Sequence, residues 1–286
     1  AERYDPKGHY LGYGVYGDCQ SKPDSDTVKL REDGVLMLKK DGSWYTSPVA
    51  SAQCGLHHYL YNGRQVDRLT MAYIEDLLAS QDETGAFRYP YEITYRDQSL
   101  GTNWISGMAQ GQAVSFFSRV LQDHHMPRLE EAALKAIDLL ILGVEEGGTM
   151  SSLTSIDESL SAYVAFEEVI TEPQSLILNG FMFSLLGLYD WSHVQTAHNN
   201  ASQVQAGLYF ERGIATLREI LPYYDVGGWT TYDLAHITIP NAREKLATPE
   251  YHAAHIYLLE ALYAITNDYK LGHILRAWSD YVDYVH

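Results

Sequence analysis

A mainly α-helical fold, an incomplete α/α toroid of about four helical hairpins, is predicted by three observations on this 286-residue sequence. Apolar residues recur with helical periodicity from residue 47 onward. The helices come in consecutive pairs at roughly 60-residue spacing, the signature of a repeat that closes on itself. The first three pairs each end in a Gly-containing turn, at Gly85, at Gly147–Gly148 and at Gly227–Gly228.

In chain order, residues 1–46 differ from the rest: they are Gly-, Tyr- and Lys-rich and alternate through TVKLREDGVLMLKKDGSWY. Alternation of this kind predicts a β-hairpin arm lying over the ring. SPVASAQCGLHHYLYNG opens with Ser47-Pro48 and closes at Gly63, as a helix should. RQVDRLTMAYIEDLLASQ is its partner, and DETGAFRYPYEITY follows as a turn and a strand-like segment. The order recurs in WISGMAQGQAVSFFSRVL and RLEEAALKAIDLLIL, which lead to EEGGTMSSL. Residues 149–172 read as extended, with VAFEEVI as a strand. A third pair is PQSLILNGFMFSLLGLYDW with AGLYFERGIATLREILPYY, and a fourth is TPEYHAAHIYLLEALYAI with KLGHILRAWSDYVDYV. The fourth pair starts cleanly: Thr248 is an N-cap, Pro249 suits the first helical position, and Glu250 favours the positive end of the helix dipole. No linker divides the chain, so the expected organisation is a β-rich arm over 1–46 and one helical domain over 47–286.

Composition narrows the function classes. A formal net charge of −17 argues against nucleic acid as a partner and requires a local basic cleft for any polyanionic substrate. The 23 tyrosines offer flat apolar faces and hydroxyls suited to sugar rings, beside their ordinary role in helix packing. No run of 18 apolar residues exists and AERYDPKGHY has no signal-peptide pattern, so a soluble chain without a membrane span is expected. Cys19 and Cys54 are expected as reduced thiols, since sequence shows no geometry that would join them.

Candidate chemistry concentrates in a few places. In a toroid the turn after each hairpin shares a face with the start of the next, so Tyr232 and Tyr251 are expected to face one cleft. Helical spacing puts Tyr251 and His255 on the inward face and His252 one step round. HxxH without the HExxH glutamate does not make a metalloprotease site, so no metal is expected and the histidines are read as cleft hydrogen-bond partners. Asp24, Asp26 and Asp33 are hard oxygen ligands in principle, but a solvated acidic turn is the simpler reading. Glu167 and Glu168 alternate along a strand, so only one of them enters the cleft. Asp233, His236, Asn241 and Arg243 follow the third glycine turn, where Asp233 could simply cap that turn. Gln110, Gln112 and Asn179 sit near helix starts, where their amides could hold sugar hydroxyls or cap loops. Arg88, Tyr89, Tyr91 and Trp104 complete the substrate-binding candidates. Gly111 and Gly180 inside helices cost about 1 kcal/mol each relative to Ala, which signals close packing or ligand approach. Other chemistries are missing: GxSxG, P-loop, GxGxxG and CxxC are all absent, and no cofactor is expected.

Several ordered segments resemble the C-terminal part of the D-glucuronyl C5-epimerases, which convert glucuronate to iduronate in heparan-type polysaccharides. LNGFMFSLLGLYD and YFERGIATLREILPYYDVG are near-verbatim family stretches. TTYDLAH, PNAR and YHAAHI are similar to the family's TIYDLRH, PNLAR and YHTTHI, and SAQCGLHHY, SQDETGAF and GMAQGQA resemble its AQYGLSHY, QDEKGGW-like and AMAQGQA segments. The resemblance runs from about residue 44 to the end. It implies Tyr232, Tyr251 and Glu168 as acid–base residues, with His236 or another neighbouring cation assisting a phenol. Two positions depart from the family: the tyrosine of EYPxxP is Val169 and the arginine of TIYDLRH is Ala235. Animal members also carry a membrane anchor and a β-rich domain, where only DRLTMAYIEDLLA joins the flanking segments in this sequence. The expected reaction is C5 epimerisation of a uronate in a heparosan-like polysaccharide, without a cofactor. A uronate lyase on the same fold and a polysaccharide-binding protein without catalysis stand as alternatives. Incomplete toroids with exposed ends often pair, so a homodimer is the expected assembly.

Overall fold

The computed structural model describes residues 4–8, 10, 18–21, 24–194 and 200–283, and it is mainly helical. The helices are α1 (Pro48–Tyr61), α2 (Arg68–Ser80), α3 (Gly107–Asp123), α4 (Pro127–Leu140), α5 (Leu178–Ser192), α6 (Asn200–Ile220), the short α7 (Ala235–Thr238), α8 (Pro249–Thr266) and α9 (Tyr269–Asp283). Local chemistry sets the starts. Pro stands in the first turn of α1, α4 and α8, while Asp67 and Ser106 accept hydrogen bonds from the Thr70 and Ala109 amides to open α2 and α3.

Helices pair as the periodicity predicts: α2 packs on α1, α4 on α3, α6 on α5 and α9 on α8. The first helices of the pairs also pack side by side, α1 on α3, α3 on α5 and α5 on α8. That inner layer holds the core. The tightest contact joins α3 and α5, where a Cβ at Gly111 would strike the backbone of Ser184, and one at Gly187 would strike the backbone of Gly111. Glycine is required there because two helix backbones touch, and the gain in packing offsets its cost in helix propensity.

Three small antiparallel sheets decorate the helices. Strands β1 (Val28–Leu30), β2 (Leu36–Lys40) and β3 (Ser43–Tyr45) form the first, one strand more than the expected hairpin. Part of the expected arm, residues 1–3, 9, 11–17 and 22–23, lies outside the described residues. β4 (Ile93–Tyr95) pairs with β5 (Gln98–Leu100), and β6 (Met150–Ser152) pairs with β7 (Val164–Phe166).

One expectation is overturned. Cys19 and Cys54 are joined in a disulfide, their Cα atoms 5.7 Å apart. The segment carrying Cys19 folds back onto the buried face of α1, a long-range contact that a separation of 35 residues does not reveal. Asp33 is held in the same region by a bidentate pair with Arg31, which also reaches Asp76. Among the described residues no group of three or more His, Cys, Asp or Glu could hold a metal ion, and no helix is long and apolar enough to cross a membrane.

Candidate active site

A period of two running from Tyr89 into β4 builds one wall of a cleft of about 320 Å³: Tyr89, Tyr91, Ile93 and Tyr95 all line it. Trp104 stacks on Tyr89 with ring centroids 3.7 Å apart, and its indole N–H donates to the Tyr91 carbonyl at 3.0 Å. Leu38 and Lys40 of β2 border the same space, so the N-terminal sheet contributes to the cleft. Val169, Ile177 and Met108 add apolar surface.

Glu168, Tyr232 and Tyr251 meet in this cleft. The rings of Tyr232 and Tyr251 make an edge-to-face contact with centroids 4.7 Å apart. The Tyr232 hydroxyl donates to Glu168 Oε1 at 3.5 Å, a long contact. Glu168 Oε2 accepts from the Asn179 side-chain amide at 3.2 Å, and the Gly180 backbone amide also stabilises the carboxylate. Both donors belong to the first turn of α5, whose dipole favours an anion. Burial nevertheless dominates and pushes the Glu168 carboxyl up to about 7, against the opposing pull of Lys245, Tyr232, Gly180 and Asn179. Burial, together with the Glu168 charge, also raises the Tyr251 phenol, so this tyrosine is a proton donor at neutral pH rather than a ready phenolate.

Gly180 is what lets Glu168 approach the helix. A Cβ there would overlap Oε2 and the Cβ of Glu168 itself. The substitution Gly180→Ala is therefore expected to leave α5 helical, as Ala is the better helix former, while displacing the carboxylate. A misplacement of about 1 Å costs roughly 100-fold in turnover, to be measured in the reaction the sequence leads one to expect, C5 proton exchange, alongside a circular-dichroism melt.

Glu167, the chain neighbour of Glu168 just past the end of β7, goes to the other side. It lines a separate polar cavity with Ser151, Ser152 and Thr154, accepts from the Ser151 hydroxyl, and is likewise pushed up to about 7 by burial. The alternation rule placed the two carboxylates on opposite faces, and the structure has them there.

Other sequence candidates occupy different places. His252 and His255 do not line the cleft. Both ring Nδ1 atoms face the Thr230 hydroxyl, at 2.8 and 3.1 Å, and His252 stacks on Trp229. Burial pushes His255 down to about 3, so it is neutral. The turn of α8 that exposes Tyr251 rotates both histidines into the packing against Trp229 and Trp278. His236, on the four-residue α7, lines no part of the cleft. Gln110 braces the 85–87 turn, accepting from Phe87 N–H and donating to the Gly85 and Ala136 carbonyls. Gln112 is buried inside α3. Arg88 points away from its tyrosine neighbours to pair with Asp82. Asn241 and Arg243 are exposed on the loop after α7. Asn179 touches the site through Glu168.

Tyr95, Arg96 and Lys245, on and beside the cleft, escaped the sequence analysis. Tyr95 donates from its hydroxyl to Asp233, and Asp233 is fully buried in an ion pair with Arg96. The period of two from Tyr89 to Tyr95 was the available signal for Tyr95. Lys245 had none, because only tertiary pairing of Thr231 with Leu246 brings it beside Tyr232.

A mainly helical protein with an aromatic cleft and a phenol–carboxyl pair suited to moving protons is thus defined. The D-glucuronyl C5-epimerase C-terminus family model matches residues 81–280. A D-glucuronyl C5-epimerase of Caenorhabditis elegans is 31% identical over 213 residues, covering 72% of this chain and 33% of that relative. An uncharacterized protein of Methanocaldococcus jannaschii is 24% identical over 179 residues, covering 61% of this chain and 54% of that relative. The chain belongs to the D-glucuronyl C5-epimerase family, and it spans between a third and about half of the length of these two relatives.

Proposed function

We propose that the cleft epimerises D-glucuronate to L-iduronate within a heparosan-like polysaccharide, by removing the C5 proton from one face and returning one to the other. The observation that carries this reading is the convergence of Glu168, Tyr232 and Tyr251 in one aromatic cleft. Ionised Glu168 takes the C5 proton, and the C5–H electron pair passes into the adjoining carboxylate to give an enediolate. The Tyr251 phenol donates its proton to the opposite face of C5. The cycle leaves Glu168 protonated and Tyr251 as phenolate; Tyr232, in contact with both, is the relay that returns the proton. A carboxyl near 7 and a protonated phenol are suited to these opposite tasks at neutral pH. The stacked Tyr89 and Trp104 offer faces for the flanking sugars.

The same reading makes residues 47–286 an incomplete α/α toroid and residues 1–46 a β-rich arm at its mouth, supported by the side-by-side inner helices and by Leu38 and Lys40 at the cleft. Incubation of the protein with N-acetylated or N-sulfated heparosan in D2O tests the reaction. Deuterium at C5 together with iduronate signals in the NMR spectrum is the expected result. An unsaturated uronate absorbing in the ultraviolet would instead identify a lyase, and binding without exchange at C5 would identify a polysaccharide-binding protein.

A further inference from the structure

The enediolate proposed above carries two negative charges on the uronate carboxyl, and a buried acid–base pair alone cannot stabilise them. Hydrogen-bond donors or a positive charge must stand near the reacting carboxyl group, and a cation does this most strongly. Four cationic side chains lie on or around the cleft: Lys40, Arg96, Arg243 and Lys245. Arg96 is committed, its guanidinium bound to both oxygens of Asp233 and to the Arg243 carbonyl. Arg243 is exposed, and its part in this contact is played by its backbone. Lys40 borders the tyrosine wall, its ammonium 5.8 Å from the centre of the Tyr91 ring, and it is not among the main groups acting on Glu168.

Lys245 is exposed like Arg243, but its side chain is held against the rings of the cleft. Its ammonium lies 4.4 Å from the centre of the Tyr232 ring and 4.6 Å from that of Tyr95, so it sits over two of the rings that line the cleft. It forms no ion pair among the described residues, yet it is the strongest favourable charge acting on Glu168. Its backbone is fixed: the Tyr232 amide donates to the Lys245 carbonyl at 2.6 Å, and the Ala247 amide donates to the Thr230 carbonyl at 2.9 Å. The Tyr95–Asp233–Arg96 cluster fixes the second ring under the ammonium. An ammonium held on aromatic faces, feeling the Asp233 and Glu168 charges without a direct ion pair to either, is poised for an incoming anion.

We propose that Lys245 is the carboxylate-binding residue of the cleft, seating the uronate carboxyl group beside Glu168 and Tyr251, with Tyr95, Asp233 and Arg96 as its positioning residues. This inference rests on the uronate reading of the site. It also explains how a strongly acidic protein accepts an acidic sugar: the positive charge is placed locally, on the rings of the site itself. Ala235, where related sequences carry arginine, then needs no charge of its own.

The test is binding, read apart from turnover. A heparosan oligosaccharide and its carboxyl-reduced counterpart are titrated calorimetrically into the wild-type protein, Lys245→Met and Lys245→Arg at low ionic strength. The wild type is expected to bind the acid roughly 10-fold more tightly than the reduced sugar, the lower end for a charge-assisted hydrogen bond. Lys245→Met is expected to erase that gap while binding the reduced sugar as the wild type does, and Lys245→Arg to keep it. A gap that survives in Lys245→Met overturns the assignment and leaves the epimerase reading standing. No gap in the wild type overturns both. Lys245 is exposed, so an unchanged melting temperature is expected to certify the fold of each variant.

Discussion

Glu168→Gln is expected to lower C5 exchange about 1000-fold, within the range for losing a positioned general base, and to change the shape of the pH profile as well as its height. Glutamine keeps the size of the side chain and can still meet Asn179 and Gly180, so the first turn of α5 should be undisturbed. What disappears is a group that titrates near neutrality. In the wild type the active form carries one exchangeable proton on the Glu168–Tyr251 pair. Below about 7 both groups are protonated and kcat/KM should fall, because Glu168 can no longer accept the C5 proton. The alkaline limb should lie above the ordinary phenol range, since Tyr251 is pushed up by burial and by Glu168. The two apparent values belong to the pair, not to either residue alone. Residual exchange in Glu168→Gln should lack the acid limb. If that limb persists near pH 7 in the variant, its origin is another group and the assignment of Glu168 is wrong.

The fold was legible where short-range periodicity determines it. All four helical hairpins, the glycine turns between them and the strand at VAFEEVI stand close to the segments that the apolar pattern marks out. The pairing of Tyr232 with Tyr251 was also legible, because a repeat fixes which turn faces which helix start. Legibility ends where a side chain's direction depends on its tertiary neighbours. Helical spacing assigns His255 and Tyr251 to one face, but Thr230, Trp229 and Trp278 claim the histidines, so only the tyrosine reaches the cleft. Arg88 and Tyr89 are adjacent and were grouped together, although Arg88 turns to Asp82 and only Tyr89 lines the cleft. Lys245 and the Cys19–Cys54 bridge each depend on a contact between distant segments, for which one sequence carries no local mark.

A second large effect is expected far from the cleft mouth. Arg119 on α3 and Asp190 in the last turn of α5 form an ion pair with both side chains fully buried. Asp190 stands at the negative end of its helix, where a carboxylate is disfavoured, and burial raises its pKa further. Arg119 offsets this, helped by the Tyr4 hydroxyl, which accepts from the guanidinium at 3.0 Å and donates to Asp190 at 2.9 Å. The guanidinium also donates to the Gly8 carbonyl and faces the Tyr4 and Tyr10 rings, so the cluster ties the N-terminal segment to the helical core. Arg119→Met leaves a buried carboxylate uncompensated and should cost about 3–5 kcal/mol, a large share of the roughly 5–15 kcal/mol that typically holds a domain together. Arg119→Met with Asp190→Leu should cost clearly less than Arg119→Met alone, since no charge is then left unpaired. Denaturant unfolding of the two variants measures the difference, and equal losses would mean that packing rather than charge decides this site. The consequence extends to the chemistry, because α5 holds Asp190 at one end and the Asn179–Gly180 cradle of Glu168 at the other. Loosening the first end should let the second drift, so the single variant is expected to lose exchange activity even under conditions where it remains folded, and the double variant to recover part of it.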